Sequence, residues 1–577
     1  MTDFTPSKKK KALEQFVREK TSAMKQRNRF ATAWINNEQL YNGQSTTTLI
    51  TRSNLHVPKL FEAVNTASAR MGRMPEVDYD IKDEVDENAA DIMKHLWQYD
   101  IRRSSLDEIF RLSKIECGLY SRGIIKLIPG NDGNKFELVD TMSFLISPLA
   151  NSIKTARNCG QQFIYKTIVE LEEEMEDMGY EESVIKKMKQ EQAARGTLIA
   201  SSYNEDQSLR NLRMAYLGLK DTSQLGIDVV EITEWYTYMG KEAVVMTVAD
   251  DKYLLRIETL KSVGLPKFPY VSYATYPRGV AFWVPSVADI HRDPNLCTDV
   301  VVNQMIDNNT YRNFGMMFVD SSSGLKQSSI SPRPLGITPI NTGGGKIRDK
   351  VWQYVPPEIS QAVSVMTIVN SIAENASGLS NVPAGKKGKS SVTEIATNHA
   401  VVQEKSNEFK MGINSCFEDL AQLYADTTKL NLTIPRKVKI YGREQFTING
   451  VTKKNFEGID FISKVTSAEN ADEMKALQQK AAVELFQELK DDPLVTGQKF
   501  LRENLMKKFG LTEDEIGRLF QQPSPQDGQQ GLPQGQEGLP QPPQGSPQAG
   551  MPTGNPMNPA GAQLSATGSI AQSNTIK

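Results

Sequence analysis

The chain is poor in the residues that usually carry chemistry. Its four cysteines, Cys117, Cys159, Cys297 and Cys416, lie far apart in 577 residues. No Cys-x-x-Cys pair exists, so neither a disulfide framework nor a zinc site is indicated. The four histidines, His56, His95, His291 and His399, are equally scattered. No apolar run approaches the roughly 20 residues of a membrane span. Lys8 to Lys11 are followed by Glu14, Gln15, Arg18 and Glu19, not by an apolar stretch, so no secretory signal is read there. A soluble protein, made and used in a cytoplasm without a membrane anchor, is expected. An excess of one charge is also missing: 67 Lys and Arg face 69 Asp and Glu, for a net charge of −2. Tight, sequence-independent DNA binding needs many cation–phosphate contacts. Near-neutrality argues against it and leaves room for loose contact.

The length is too great for one core, so several domains are expected. Residues 8–42 read as a charged helix with Leu13, Phe16, Val17, Phe30, Trp34, Ile35 and Leu40 as core contacts. Helices are expected at 57–71, 84–101 and 105–119, the last capped by Ser104 or Ser105. Val77–Ile81 alternates as a strand. Pro129-Gly-Asn-Asp-Gly133 between Ile124–Ile128 and Lys135–Val139 signals a hairpin. A strand at 163–169 and one helix over 170–189 follow, then a polar loop over 190–225. Strands rich in β-branched and aromatic residues are expected at 229–238, 243–248, 253–257 and 270–274.

From Ser286 the texture changes. A helix begins there, restarts at Asp293-Pro294 and runs to about Phe314. It carries Asp299, Asn303 and Asp307 at i, i+4 and i+8, one polar stripe that reads most simply as a solvated face. Residues 318–356 turn to Ser, Pro, Gly and Thr, the chemistry of turns, with short strands at 336–340 and 350–355. An apolar helix follows over 357–377, then the loop Gly378-Leu-Ser-Asn-Val-Pro-Ala-Gly-Lys-Lys-Gly-Lys-Ser-Ser391. A long helix over 392–430 follows, with Ser391 and Glu394 spaced as a capping box. Strands return at 432–438, 445–448 and 461–465, and helices at 468–520. Beyond Gln521 the Pro-, Gly- and Gln-rich chain cannot bury a core and is expected to be disordered.

Gly385-Lys-Lys-Gly-Lys-Ser390 invites a phosphate-binding reading. The required glycine five residues before Gly388 is Pro383, and the loop follows a helix where the motif needs a buried strand. A nucleotide-driven motor is therefore disfavoured. Lys386, Lys387 and Lys389, spaced by glycines with Ser390 beside them, suit a flexible contact with a moving phosphate backbone, since lysine acts as a mobile point charge. An exposed loop without a role is the plain alternative. Glu172, Glu173, Glu174, Glu176 and Asp177 read as a solvated helix face. Trp235, Trp283 and Trp352 read as core or interface anchors. No nucleophile, metal or cofactor signal emerges, so no enzyme is expected.

The order of these parts resembles the portal proteins of tailed bacteriophages. The likeness spans residues 10–520 and rests on Phe282-Trp-Val-Pro-Ser286 with Asp289, Asp299 and Asn303-Gln304, and on Ser377-Gly-Leu-Ser380 with Gly385–Ser391. It implies an α+β, multi-domain, mainly helical chain. A wing would occupy residues 1–285, stem helices 286–317 and 357–377, and a clip 318–356. A tunnel loop would occupy 378–391, a return through the wing 392–466, a helical crown 467–520 and a disordered tail 521–577. It further implies a ring, usually of twelve subunits, at one capsid vertex of the virion, assembled in the host cytoplasm. Double-stranded DNA would pass through the ring, driven by a terminase and later ejected. The major capsid protein, the terminase and head–tail adaptor or tail proteins would be partners, with no cofactor. The stem residues Asp299, Asn303 and Asp307 would line the channel. Lys386, Lys387, Lys389 and Ser390 would face DNA. Arg333, Lys346, Arg348 and Trp352 would make clip contacts. The alternative is an internal head or tail component without a channel.

Overall fold

The computed structural model describes residues 4–44, 53–81, 87–195, 215, 229–313, 317–319, 345–346, 351–353, 357, 359–379, 392–440 and 446–466. These belong to one compact unit, Met1–Glu513; a second unit, Asp514–Lys577, lies outside the described residues. The expected loop at 190–225 (beyond Arg195) lies outside them too, as do most of the expected clip, the expected tunnel loop from Ser380, and the expected crown and tail. Within the described residues the chain is a mixture of α and β structure.

The N-terminal helix α1, Pro6–Tyr41, packs a stripe against the rest of the unit: Ala12, Phe16, Lys20, Ala23 and Arg27, three or four residues apart, are buried, as are Trp34 and Leu40 further along. Three of these are the expected Phe16, Trp34 and Leu40. Lys20 and Arg27 are not apolar, yet they are buried because each has partners. The Lys20 ammonium donates to Thr233 Oγ1 at 3.0 Å and Asp251 Oδ1 at 2.6 Å, and Arg27 Nη1 donates to the Met142 carbonyl at 2.6 Å. After α2, Lys59–Arg70, strand β1, Glu76–Ile81, pairs antiparallel with the late strand β14, Phe461–Thr466.

Helices α3, Glu87–Arg103, and α4, Leu106–Tyr120, lead to β2, Arg122–Ile128, and β3, Lys135–Val139, which form the expected hairpin. Ser105 occupies the cap position of α4 but adopts a left-handed conformation and gives no side-chain cap bond. Strands β4, Phe144–Ile146, and β5, Asn158–Thr167, begin a second sheet. The single helix expected over 170–189 is three: α5, Ile168–Glu173, α6, Met175–Met178, and α7, Glu182–Arg195. The chain breaks at Gly179, whose φ of 69° no regular helix can hold, and it turns Tyr180 into the core.

Strands β6, Val229–Met239, β7, Glu242–Ala249, and β8, Tyr253–Thr259, complete a five-stranded antiparallel sheet in the order β4-β5-β6-β7-β8. Strand β9, Tyr270–Ala274, joins β2 and β3. The five-stranded sheet shares one apolar cluster with α1 through Phe16, Trp235, Met246 and Val248, and another with α5 and α7 through Leu171, Ile185, Met188, Val230 and Leu255. Two helices follow where the stem was expected: α8, Val287–Asn313, and α9, Ser360–Ser377. Between them a two-stranded ladder joins β10, Met317–Val319, to β11, Val351–Gln353. Helix α10, Val392–Asn431, buries Phe409, Ile413, Phe417, Leu420 and Tyr424 in the main core. Strands β12, Arg436–Ile440, and β13, Phe446–Val451, pair before β14.

Asp250, in the β7–β8 turn, has a carboxylate that burial pushes up to about 7, with Glu231 and Asp251 adding to the rise; its Oδ2 has no hydrogen-bond partner. A raised folded-state value means that the folded chain holds this proton more tightly than the unfolded chain. Stability should therefore fall as pH rises from about 4 to about 7 and be flat above. Asp250→Asn removes the buried charge and should raise stability by on the order of 2 kcal/mol at pH 8, with no difference near pH 3. Denaturant melts at both pH values measure this; equal melts at pH 8 would refute it.

Candidate functional site

The candidate site is the α8–α9 pair and the elements that fasten it. Its root is Phe282-Trp-Val-Pro-Ser286. Phe282, Trp283 and Val284 are buried, and the Trp283 ring meets Trp34 edge to face at 5.2 Å. Arg122 Nε donates to the Phe282 carbonyl at 2.5 Å while its guanidinium lies 4.2 Å from the Phe282 ring. Ser286 and Asp289 then satisfy each other: Asp289 N donates to Ser286 Oγ at 3.1 Å, and Ser286 N donates to Asp289 Oδ2 at 2.9 Å. This reciprocal pair fixes the first turn of α8. The helix continues through Pro294 without the restart expected there.

The polar stripe on α8 is neither a solvated face nor an open channel face. Asn295, Asp299 and Asn303 are buried beneath an extended segment, residues 53–58. Ser53 N donates to Asp307 Oδ1 at 3.0 Å, Leu55 N to Asn303 Oδ1 at 2.7 Å and Val57 N to Asp299 Oδ1 at 2.7 Å. Pro58 has no N–H, and the next rung is Leu60 N, an early amide of α2, which donates to Asn295 Oδ1 at 2.9 Å. The spacing explains the match. Four residues of helix rise about 6.0 Å, and two residues of extended chain advance about 6.6 Å. A side chain on every fourth residue of α8 therefore meets every second amide of the segment. Asn303 also donates to the Leu55 carbonyl at 2.7 Å. His56 Nδ1 bonds Asp299 Oδ2 at 2.8 Å while its Nε2 bonds the Leu40 carbonyl at 3.1 Å. The expectation that Asp299 and Asn303 line a channel is corrected here: their polar atoms are spent on the strap. Asp307 is half-buried and holds Ser53 through both its N and Oγ.

Helix α9 packs on α8. Asn370 Nδ2 donates to Thr298 Oγ1 at 3.1 Å, and Asn308 Nδ2 to the Pro357 carbonyl at 3.0 Å. Glu374 is the sole charged residue of α9, and its outward face carries Gln361, Val365, Ile368 and Ile372. The C-terminus is a Schellman turn: Gly378 N reaches the Asn375 carbonyl, Leu379 N reaches the Glu374 carbonyl, and Gly378 has the left-handed φ of 74° that this turn needs. Leu379 is buried with Ala63, Ala67 and Val287. Arg70 Nη1 donates to the Gly378 carbonyl at 2.5 Å, and Tyr276 Oη to the Ser377 carbonyl at 2.8 Å. His291 Nε2 lies 2.8 Å from Ser377 Oγ. Burial, then Lys59, pushes the His291 imidazole down to about 4, so it stays neutral at physiological pH. The chain thus enters the Gly/Lys segment from a fixed point.

Lys386, Lys387, Lys389, Ser390, Arg333 and Arg348 lie outside the described residues, as does the expected cap at Ser391. Lys346 is exposed, and Trp352 is exposed opposite Phe318 in the β10–β11 ladder. Trp235 and Trp283 are buried as expected. The anchors of the pair, Ser53–Leu60 and Arg70, escaped the sequence reading; the one signal was the i, i+4 run of Asn and Asp, which fits a solvated face equally well. Among the described residues no group of His, Cys, Asp or Glu could hold a metal ion, and no helix is long and apolar enough to cross a membrane. A family model described as phage SU10 portal protein matches residues 21–548. No curated protein matches the chain.

Proposed function

The chain belongs to the phage SU10 portal protein family, and on that premise we propose that it forms a ring-shaped channel at one capsid vertex. Portal proteins of this family are structural components of the virion and connect head to tail. In the proposed ring, of twelve subunits as the sequence likeness implies, double-stranded DNA enters under a terminase and later leaves. The clip region around Lys346 and Trp352, with Arg333 and Arg348, meets the terminase and then head–tail adaptors. What supports this reading is the α8–β10/β11–α9 arrangement: two packed helices bracket a small β element and deliver the chain, from an anchored turn, into a cationic loop. The low charge of α9 suits a surface past which a polyanion must slide. Tight phosphate binding would stall it.

Negative-stain microscopy of the full chain should show rings with a central hole. A protein that stays monomeric at all concentrations would refute the ring. The loop lysines have a separate test. Lys386→Ala, Lys387→Ala and Lys389→Ala together should leave rings intact and change the amount of DNA packaged or retained by heads, with a weaker dependence on salt. Packaging and retention equal to those of the unchanged chain would sink the role given to these residues.

A further inference from the structure

A groove of about 620 Å³ lies where α1, the β4–β5 connection and the end of β6 meet. It contains two exposed cations, Arg18 and Arg157. Neither guanidinium makes a hydrogen bond or ion pair among the described residues. The carboxylate in the groove, Glu19, is already engaged by Trp235 Nε1 at 3.0 Å and Gln15 Nε2 at 2.7 Å. Asn158, also lining the groove, is 8% exposed, and its Oδ1 has no partner. Two large apolar side chains stand at the rim, Leu149 at 99% exposure and Tyr238 at 42%. Unpaired arginines, an unfilled acceptor and exposed apolar groups together make a surface built to be covered.

The chain carries a matching surface. Helices α5 and α6 expose Val169, Glu173, Glu176 and Met178. Val169, Glu173 and Glu176 fall at i, i+4 and i+7, and Glu174 at the junction keeps helical torsions, φ −81° and ψ −1°, so the three share one face. Glu172 and Glu174 are paired with Lys189 and Lys166, whereas Glu173 and Glu176 have no partner among the described residues. The two surfaces sit at opposite ends of β5, with Arg157 and Asn158 at one end and the α5 cap Thr167 at the other. Ten residues of strand separate them by about 33 Å, too far to meet within one chain. We propose that the α5–α6 face of one copy docks in the Arg18–Arg157 groove of the next, pairing Glu173 and Glu176 with the two arginines and Val169 with Leu149 and Tyr238. A surface and its complement at opposite ends of one element form a head-to-tail interface, the kind that closes rings.

This proposal rests on the ring reading and names the contact that closes it. The unchanged full chain and three variants of it are followed by mass photometry and negative-stain microscopy. Arg18→Glu with Arg157→Glu should lose rings at concentrations at least tenfold above those at which the unchanged chain assembles, with an unaltered thermal melt. Glu173→Arg with Glu176→Arg should do the same. The four substitutions together should restore rings. Rings from either double variant at the unchanged concentration would overturn this interface and leave the ring standing, as would failure of the fourfold variant to reassemble. No self-association by the unchanged chain would overturn both.

Discussion

Asp299→Ala should unfasten residues 53–60 from α8 and cost the folded unit about 3–5 kcal/mol, the usual penalty for breaking a buried, hydrogen-bonded charge. Asp299 accepts from Val57 N and His56 Nδ1, and Asn295 Nδ2 donates to it at 3.2 Å. Its loss leaves a buried backbone amide and an imidazole without their acceptor, and water has no easy way in, since Asp299 is 1% exposed. Asp299→Asn keeps one acceptor for Val57 N and should cost less. Asp307→Ala, at the half-buried end of the ladder, should cost about 1 kcal/mol. Urea melts rank the three, and limited proteolysis within 53–58 reports the strap directly. A protease pattern unchanged by Asp299→Ala would refute the assignment.

A comparable loss is expected at Asp100, far from α8. This buried carboxylate accepts from Tyr424 Oη at 2.8 Å, Arg436 Nη2 at 2.9 Å and Asn134 N at 3.1 Å. It therefore ties α3 to the β2–β3 turn, to α10 and to β12. Asp100→Ala removes the acceptor and leaves Arg436 as a largely buried cation, with Asp132 at 3.6 Å as its remaining acidic neighbour. The expected cost is again about 3–5 kcal/mol. Replacing both Asp100 and Arg436 with apolar residues should recover part of it, because the desolvation of two ions disappears with them. A double variant no more stable than Asp100→Ala would show that Arg436 is not what the loss strands.

Both predictions concern contacts between distant parts of the chain, and these were the least legible in the sequence. The strands at 229–238, 243–248, 253–257 and 270–274 were readable because alternation and β-branched residues report local geometry. The pairing of Val77 with Val465 was not readable, since nothing in either strand encodes its partner. Asp293-Pro294 looked like a helix start because proline suits a first turn; here the first turn is set earlier, by Ser286 and Asp289. The Glu-rich run of 170–189 hid a break at Gly179, since one solvated helix and several short ones share the same polarity. The spacing of Asp299, Asn303 and Asp307 does place them on one stripe of α8, but residues 53–58 lie over it. Periodicity places residues on one face of a helix and says nothing of what lies over that face.

The Schellman turn at Gly378, clamped by Arg70, also sets a tether length. Lys386 follows the fixed Leu379 by seven residues, so its Cα can stand no more than about 25 Å from that pivot even in a fully extended chain. The lysine stem adds a few ångströms. By the same rule the Cα of Lys387 stands within about 29 Å of the pivot and that of Lys389 within about 36 Å. Inserting glycines before Lys386 lengthens the leash without touching a charge, so in the proposed ring the reach of these cations becomes an adjustable quantity.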